Sequence, residues 1–221
     1  MTIEFSNESF PGLLITFCGV DGSGKTTMLD LLEQKLQATQ SLPVYRTFQP
    51  TKSVRQSELF RKFVDSDQHD GLEYRSLSLL TVSDRVQHSM QDIFPRLKRG
   101  EIVLCDRYFF SAIVNLRVRG YPHDRWIYEI ASFLPKPDIA FFMDIDFEAT
   151  IQRVKSRQAE KDRWVDMEFQ RKLHQEFREI CTESNGVRIH TDTVPAVTFE
   201  QVWRLVAPAL ARKRGEGTID A

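Results

Sequence analysis

The chain has 221 residues, enough for one well-buried core with at most a small insert, and its 41% apolar and 28% charged residues are ordinary for a soluble globular enzyme. A formal net charge of −1 provides no overall basic field, which argues against DNA, RNA or an anionic membrane surface as a partner. Met1–Phe10 carries two glutamates and no lysine or arginine, and no run reaches the ~20 apolar residues that span a bilayer, so the expected location is cytoplasmic.

In chain order, the apolar run Leu13–Phe17 leads into a glycine-rich turn, after which Leu29, Leu32 and Leu36 recur at helical spacing. Val44–Phe48 reads as a second strand. Leu72–Lys98 carries Leu79, Val82, Val86, Met90, Ile93 and Leu97 at steps of three and four, which predicts one helix with a single apolar stripe, ended by Gly100 behind two cationic residues. Glu101–Cys105 is the next buried strand, and a helix follows from about Phe110. Pro135 and Pro137 precede a strand over Ile139–Met143, and helical pattern resumes over Phe147–Lys155. The polar stretch Ser156–Asp166 separates this from a helix carrying Phe169, Leu173, Phe177 and Ile180. Val187–His190 reads as the last strand and Thr198–Leu210 as the last helix, with Thr198 as its N-cap. Residues 1–10 and 215–221 are expected to fray. Strands alternating with helices predict a single α/β domain over 1–221, a parallel sheet of about five strands with helices on both faces.

Cys18, Cys105 and Cys181 are odd in number and widely spaced, and the first two sit in apolar runs; they read as small buried hydrophobes in a reducing compartment. His69, His88, His123, His174 and His190 show no metal-ligand spacing and read as surface or satisfied core residues.

Gly19-Val20-Asp21-Gly22-Ser23-Gly24-Lys25-Thr26 has the spacing G-x-x-x-x-G-K-[ST] of a phosphate-binding P-loop. Glycines let the backbone curl until its N–H groups converge on phosphate oxygens, and the helix that follows adds its positive end. Lys25 can bridge the β- and γ-phosphates, and the Thr26 hydroxyl can ligate Mg²⁺; Thr27 continues the motif into the helix. A chance glycine-rich turn would not come with a buried strand before it and an amphipathic helix after it. ATP with Mg²⁺ is therefore the expected cofactor pair. Asp106 and Arg107 end a buried strand, where ligands bind in open α/β sheets; the aspartate can hold Mg²⁺ and the arginine can grip phosphate. Asp21 is a carboxylate inside a phosphate loop, which makes electrostatic sense if it meets a cation, either Arg107 or Mg²⁺.

Four segments together resemble thymidylate kinases. They are the loop Thr16–Thr27, the helix segment Leu79-Leu80-Thr81-Val82-Ser83-Asp84-Arg85, the strand and its end Ile102–Ser111 with Asp106-Arg107-Tyr108, and Phe141-Phe142-Met143-Asp144-Ile145. The resemblance implies a P-loop NTPase fold with a short lid over 156–166, phosphoryl transfer from ATP to dTMP, and a homodimer packed through helices like Leu79–Leu97. It implies that Arg85 and Arg107 hold the acceptor phosphate, that Lys25, Asp21 and Arg107 are catalytic, and that Arg157 or Arg163 in the lid stabilises the transferring charge.

The chain also departs from that pattern. Phe48-Gln49-Pro50 stands where the family commonly has Arg-Glu-Pro, so Phe48 is expected to stack on the base and Lys52 or Arg55 to replace the arginine. Thr81 stands in place of a stacking aromatic, and Ile113 in place of a base-reading amide. Tyr108, Ser111 and Asn115 complete the expected acceptor contacts. The competing enzyme reading is a kinase for another nucleoside monophosphate or for a nucleoside. A GTP-dependent switch would want an Asn-Lys-x-Asp segment, which the chain lacks.

Overall fold

The computed structural model describes residues 1–39, 42–64, 71–155 and 166–216. Five strands, β1 (Leu13–Cys18), β2 (Val44–Phe48), β3 (Ile102–Asp106), β4 (Ile139–Asp144) and β5 (Val187–His190), form one sheet in the order β2-β3-β1-β4-β5. All its pairings are parallel, with Phe17 opposite both Asp106 of β3 and Phe141 of β4. Every residue of β1 is buried, as expected for a central strand covered on both faces.

The helices are α1 (Lys25–Thr39), α2 (Lys52–Arg55), α3 (Glu58–Val64), α4 (Tyr74–His88), α5 (Phe94–Lys98), α6 (Phe109–Val118), α7 (Trp126–Ile130), α8 (Phe147–Lys155), α9 (Met167–Glu183) and α10 (Pro195–Glu216). Leu13, Ile15 and Phe17 face a core shared with α1 and α10, while Leu14 and Cys18 face a second core shared with α4, α6 and α9. This alternation follows from the two-residue period of a strand. Because β1 has β3 on one side and β4 on the other, the strand order reverses at its carboxyl end. That switch point is where the glycine loop begins.

Several expectations change. The long helix over 72–98 is interrupted by a π-turn at Ser89–Ile93, which resets its register. Val82, Ile93 and Leu97 are buried, but Leu79 is 51% and Met90 50% exposed. Thr198 lies inside α10, which starts at Pro195; its hydroxyl meets that of Thr193 at 3.1 Å instead of capping the helix. Within the first ten residues, three make contacts with the rest of the fold. Phe5 stacks on Tyr108 with centroids 6.0 Å apart, Phe10 is buried, and Ser6 bridges to Pro135. Asp166 belongs to α9 as its N-cap, accepting from the Phe169 N–H. All three cysteines are free and buried. His88, between Thr47 and Gln49, and His174, donating to the Ile145 carbonyl, are satisfied core histidines.

Candidate active site

The glycine loop is forced by its surroundings. Gly19 has φ +135°, and a Cβ there would sit 2.6 Å from the Met143 carbonyl oxygen, so no larger residue fits between β1 and β4. The loop wraps Lys25, whose ammonium donates to the carbonyls of Gly19 (3.0 Å) and Val20 (2.7 Å). Burial, then the neighbouring Arg107 charge, pushes its pKa down to about 8. Thr26 and Thr27 open α1 and are exposed. The loop is braced from outside: Thr191, just past β5, donates its hydroxyl to the Ser23 carbonyl at 2.9 Å. Arg153 of α8 in turn donates to the Thr191 carbonyl at 2.8 Å.

At the end of β3, Arg107 takes a left-handed backbone conformation, φ 62°, which costs a non-glycine residue roughly 1–2 kcal/mol. Its N–H donates to the Phe17 carbonyl at 2.8 Å, and its guanidinium turns back over the loop to the Gly19 carbonyl (3.1 Å) and the Asp21 carboxylate. Beside it, Oδ1 of Asp106 is buried with no hydrogen-bond partner. A buried carboxylate oxygen with no donor to satisfy it suits a hard cation, and Thr26 across the loop adds a second oxygen of the kind Mg²⁺ takes.

A cleft of about 560 Å³ opens from Asp21 and Arg107 and runs between α4, α6 and α9. Arg85 lines it, 3% exposed, with Nη1 donating to the Thr81 carbonyl at 2.7 Å and Nε without a partner. Burial pushes its pKa down to about 10, opposed by nearby Asp84. Asp84 itself holds the other wall by accepting from the Thr51 N–H (2.7 Å) and hydroxyl. Arg55, Ser111 and Asn115 also line the cleft, with Asn115 Nδ2 donating to the Ser111 carbonyl at 2.7 Å.

Three expected acceptor contacts are not brought there. Tyr108 is fully buried, its hydroxyl donating to the Pro135 carbonyl at 2.8 Å, so its ring belongs to the core and cannot stack on a ligand. Phe48 and Lys52 are exposed and do not line the cleft; the Arg55 guanidinium covers the Phe48 ring at 4.8 Å. Arg157 and Arg163 lie outside the described residues.

Among the lining residues that sequence reasoning missed are Phe63, Tyr74, Arg119 and Phe169. Tyr74 was detectable, since it lies two helical turns before Thr81 and so shares its face of α4. Phe169 was read as part of the apolar face of its helix and not as a cleft residue, and Phe63 and Arg119 gave no sequence signal.

A P-loop at the switch point of a parallel 2-3-1-4-5 sheet, opening onto a second cleft lined by arginines, defines a P-loop kinase that acts on a small phosphorylated acceptor. The chain belongs to the thymidylate kinase family, whose model matches residues 17–197. It is 30% identical over 201 residues to a probable thymidylate kinase of Pyrococcus horikoshii, covering 86% of this chain and 97% of the relative. It is 32% identical over 178 residues to the thymidylate kinase of Oceanobacillus iheyensis, covering 76% and 77%. The solved thymidylate kinase of Ehrlichia chaffeensis superposes with a TM-score of 0.66 at 25% identity, over 88% of this chain and 98% of that one.

Proposed function

We propose that this chain transfers the γ-phosphoryl group of ATP to dTMP, giving dTDP and ADP. The observation that carries the reading is Arg107, which touches the phosphate loop and the acceptor cleft at once. Phosphoryl transfer needs its donor and acceptor phosphates aligned and their charge neutralised, with little covalent chemistry from the protein.

In this reading the loop Gly19–Thr27 holds the ATP phosphates, and Lys25 leaves the loop carbonyls to neutralise charge on the transferred group. Asp21 fixes Arg107, which together with Arg85 grips the acceptor phosphate; Arg55 adds positive charge at that end. Asp106 and Thr26 would hold Mg²⁺, which supplies Lewis-acid neutralisation of the phosphate oxygens. Ser111, with a buried hydroxyl oxygen lacking a partner, and Asn115 contact the nucleoside.

The buried guanidinium of Arg85, 3% exposed and without a direct ion pair among the described residues, favours a phosphorylated acceptor over a neutral nucleoside, since its uncompensated charge in a neutral complex would be costly. A homodimer belongs to the same reading. Leu79, Val86 and Met90 lie on one face of the α4 helix and its π-turn, and Leu79 and Met90 stand half exposed. Among the described residues no helix is long and apolar enough to cross a membrane, and a cytoplasmic location fits a nucleotide kinase.

The test is ADP release from purified protein with ATP-Mg²⁺ and a panel of nucleosides and monophosphates. dTMP is expected to be the best acceptor. A clear preference for a purine or cytosine monophosphate, or for an unphosphorylated nucleoside, would overturn the thymidylate assignment.

A further inference from the structure

We infer that Arg119 is a positioning residue for this reaction, holding together the two walls of the acceptor cleft. The inference rests on the acceptor cleft assigned above. Arg119 caps the carboxyl end of α6, its N–H donating to the Asn115 carbonyl at 3.2 Å. That helix is anchored by Phe109, Phe110, Ile113, Val114 and Leu116, all buried. From this fixed base the guanidinium reaches into a cage of rings. Its carbon lies 4.4 Å from the Phe63 centroid, 4.1 Å from Phe169 and 5.3 Å from Tyr74. The Phe63 and Tyr74 rings touch each other, centroids 5.1 Å apart.

Each ring comes from a different helix. Phe63 (α3) and Tyr74 (α4) belong to one wall of the cleft and Phe169 (α9) to the other, and all three line it together with Arg119. One planar cation therefore joins elements far apart in the chain, from Phe63 to Phe169. Ordinary packing would be served by an apolar side chain of similar length. The charge instead needs an explanation: Arg119 Nε is buried without a hydrogen-bond partner, no carboxylate makes a direct ion pair with it among the described residues, and burial pushes its pKa down against the longer-range attraction of Tyr74 and of Asp166 at the start of α9. The three ring faces it touches, with Asp166 at longer range, offset its desolvation.

The consequence for the reaction is a population effect. If the walls separate, the fraction of enzyme with a formed acceptor site falls, and the apparent acceptor affinity falls by the same factor. The P-loop is not part of the cage, so ATP binding is untouched. Arg119→Met is expected to raise the acceptor KM about tenfold or more, with the ATP KM within about twofold of wild type. Arg119→Lys, which keeps the charge but loses the flat guanidinium faces, is expected to fall between them.

The experiment measures both KM values, kcat and Tm for these variants, for Phe63→Leu and Phe169→Leu, and for each phenylalanine change in the Arg119→Met background. It adds hydrogen exchange of α3 and α9 in the ligand-free proteins. Each phenylalanine variant should raise the acceptor KM in the parent and do little in Arg119→Met, and Arg119→Met should raise exchange in α3 and the first turn of α9 together. A lower Tm with an unchanged acceptor KM would reduce Arg119 to a packing residue. Phenylalanine effects that add to the Arg119 effect would mean that the arginine acts on the acceptor directly. Either result overturns the inference. Should wild type fail to phosphorylate dTMP, that failure belongs to the proposed function, and unchanged exchange in Arg119→Met would separately refute the coupling of the walls.

Discussion

Arg107, at the end of β3, pairs with Asp21, 86 residues earlier in the phosphate loop. The pair resolves an electrostatic oddity, a carboxylate inside a loop built for phosphates. It also fixes an arginine at the junction of the donor and acceptor sites, where its left-handed backbone aims the side chain back over Gly19.

Breaking that junction should affect the acceptor first. Arg107→Ala and Arg85→Ala each remove a charge-assisted contact worth roughly 1.5–3 kcal/mol, so acceptor kcat/KM should fall about ten- to hundredfold or more. Asp21→Asn should act through Arg107 and lose most of its effect in the Arg107→Ala background. Variants that bind the acceptor normally and fail on ATP would show that the phosphate sites are exchanged.

Lys25→Ala should reduce turnover on the order of a hundredfold or more while the protein still folds cooperatively, because the ammonium acts on phosphates. Steady-state rates and thermal melts check this; near-normal turnover would sink the kinase reading.

The same lysine sets a pH dependence. Its folded pKa, about 8, lies below the ordinary 10.5, so the unfolded chain binds the proton more tightly. Stability of the ligand-free enzyme should therefore rise with pH between about 8 and 10.5 on account of this group, an increment that Lys25→Met should abolish. Conversely, kcat/KM for ATP should decline above pH about 8 as the free enzyme loses the charge. A profile flat to well above that pH would contradict the buried ammonium.

Asp144 at the end of β4 is 6% exposed, and burial alone would raise its pKa, but hydrogen bonds from His174 and Arg178 outweigh this and hold it at about 2. A lowered carboxylate stabilises the fold above its unfolded pKa of 3.8 and loses that contribution as pH falls through about 2. Asp144→Asn should cost about 2 kcal/mol at pH 7, and denaturant melts should show the gap closing in strong acid. A gap unchanged by acid would mean that the loss is one of packing.

Base selectivity should be weak for the family. Thr81 removes an aromatic stack worth about 0.5–1.5 kcal/mol, and Ile113 is core, so no amide reads the base from that position. Competition between dTMP and dUMP should show discrimination in the range of about 10–200-fold that an apolar pocket provides, and a much larger ratio would point to an unassigned polar contact.

The sequence by itself determined the α/β class, the strand positions and the phosphate loop. Those depend on local periods and on glycines that must stand where β1 turns into α1, and both are written in consecutive residues. It also placed Asp106 and Arg107 at the carboxyl end of a buried strand, because strand termini follow from the local pattern, whereas Arg85 came only from the resemblance of its helix segment to thymidylate kinases. Tertiary structure decided which aromatic rings reach a ligand. Tyr108 follows Arg107 directly in sequence, yet the left-handed backbone at Arg107 turns that guanidinium back over the loop while the Tyr108 ring enters the core between Phe5 and Pro135. The π-turn at Ser89–Ile93 likewise breaks the constant helical period that the sequence reading assumed across Leu79–Leu97. The Arg119 cage is assembled from three rings on three helices, and its geometry depends on the docking of α3, α4 and α9 around the end of α6, which only the packed core fixes.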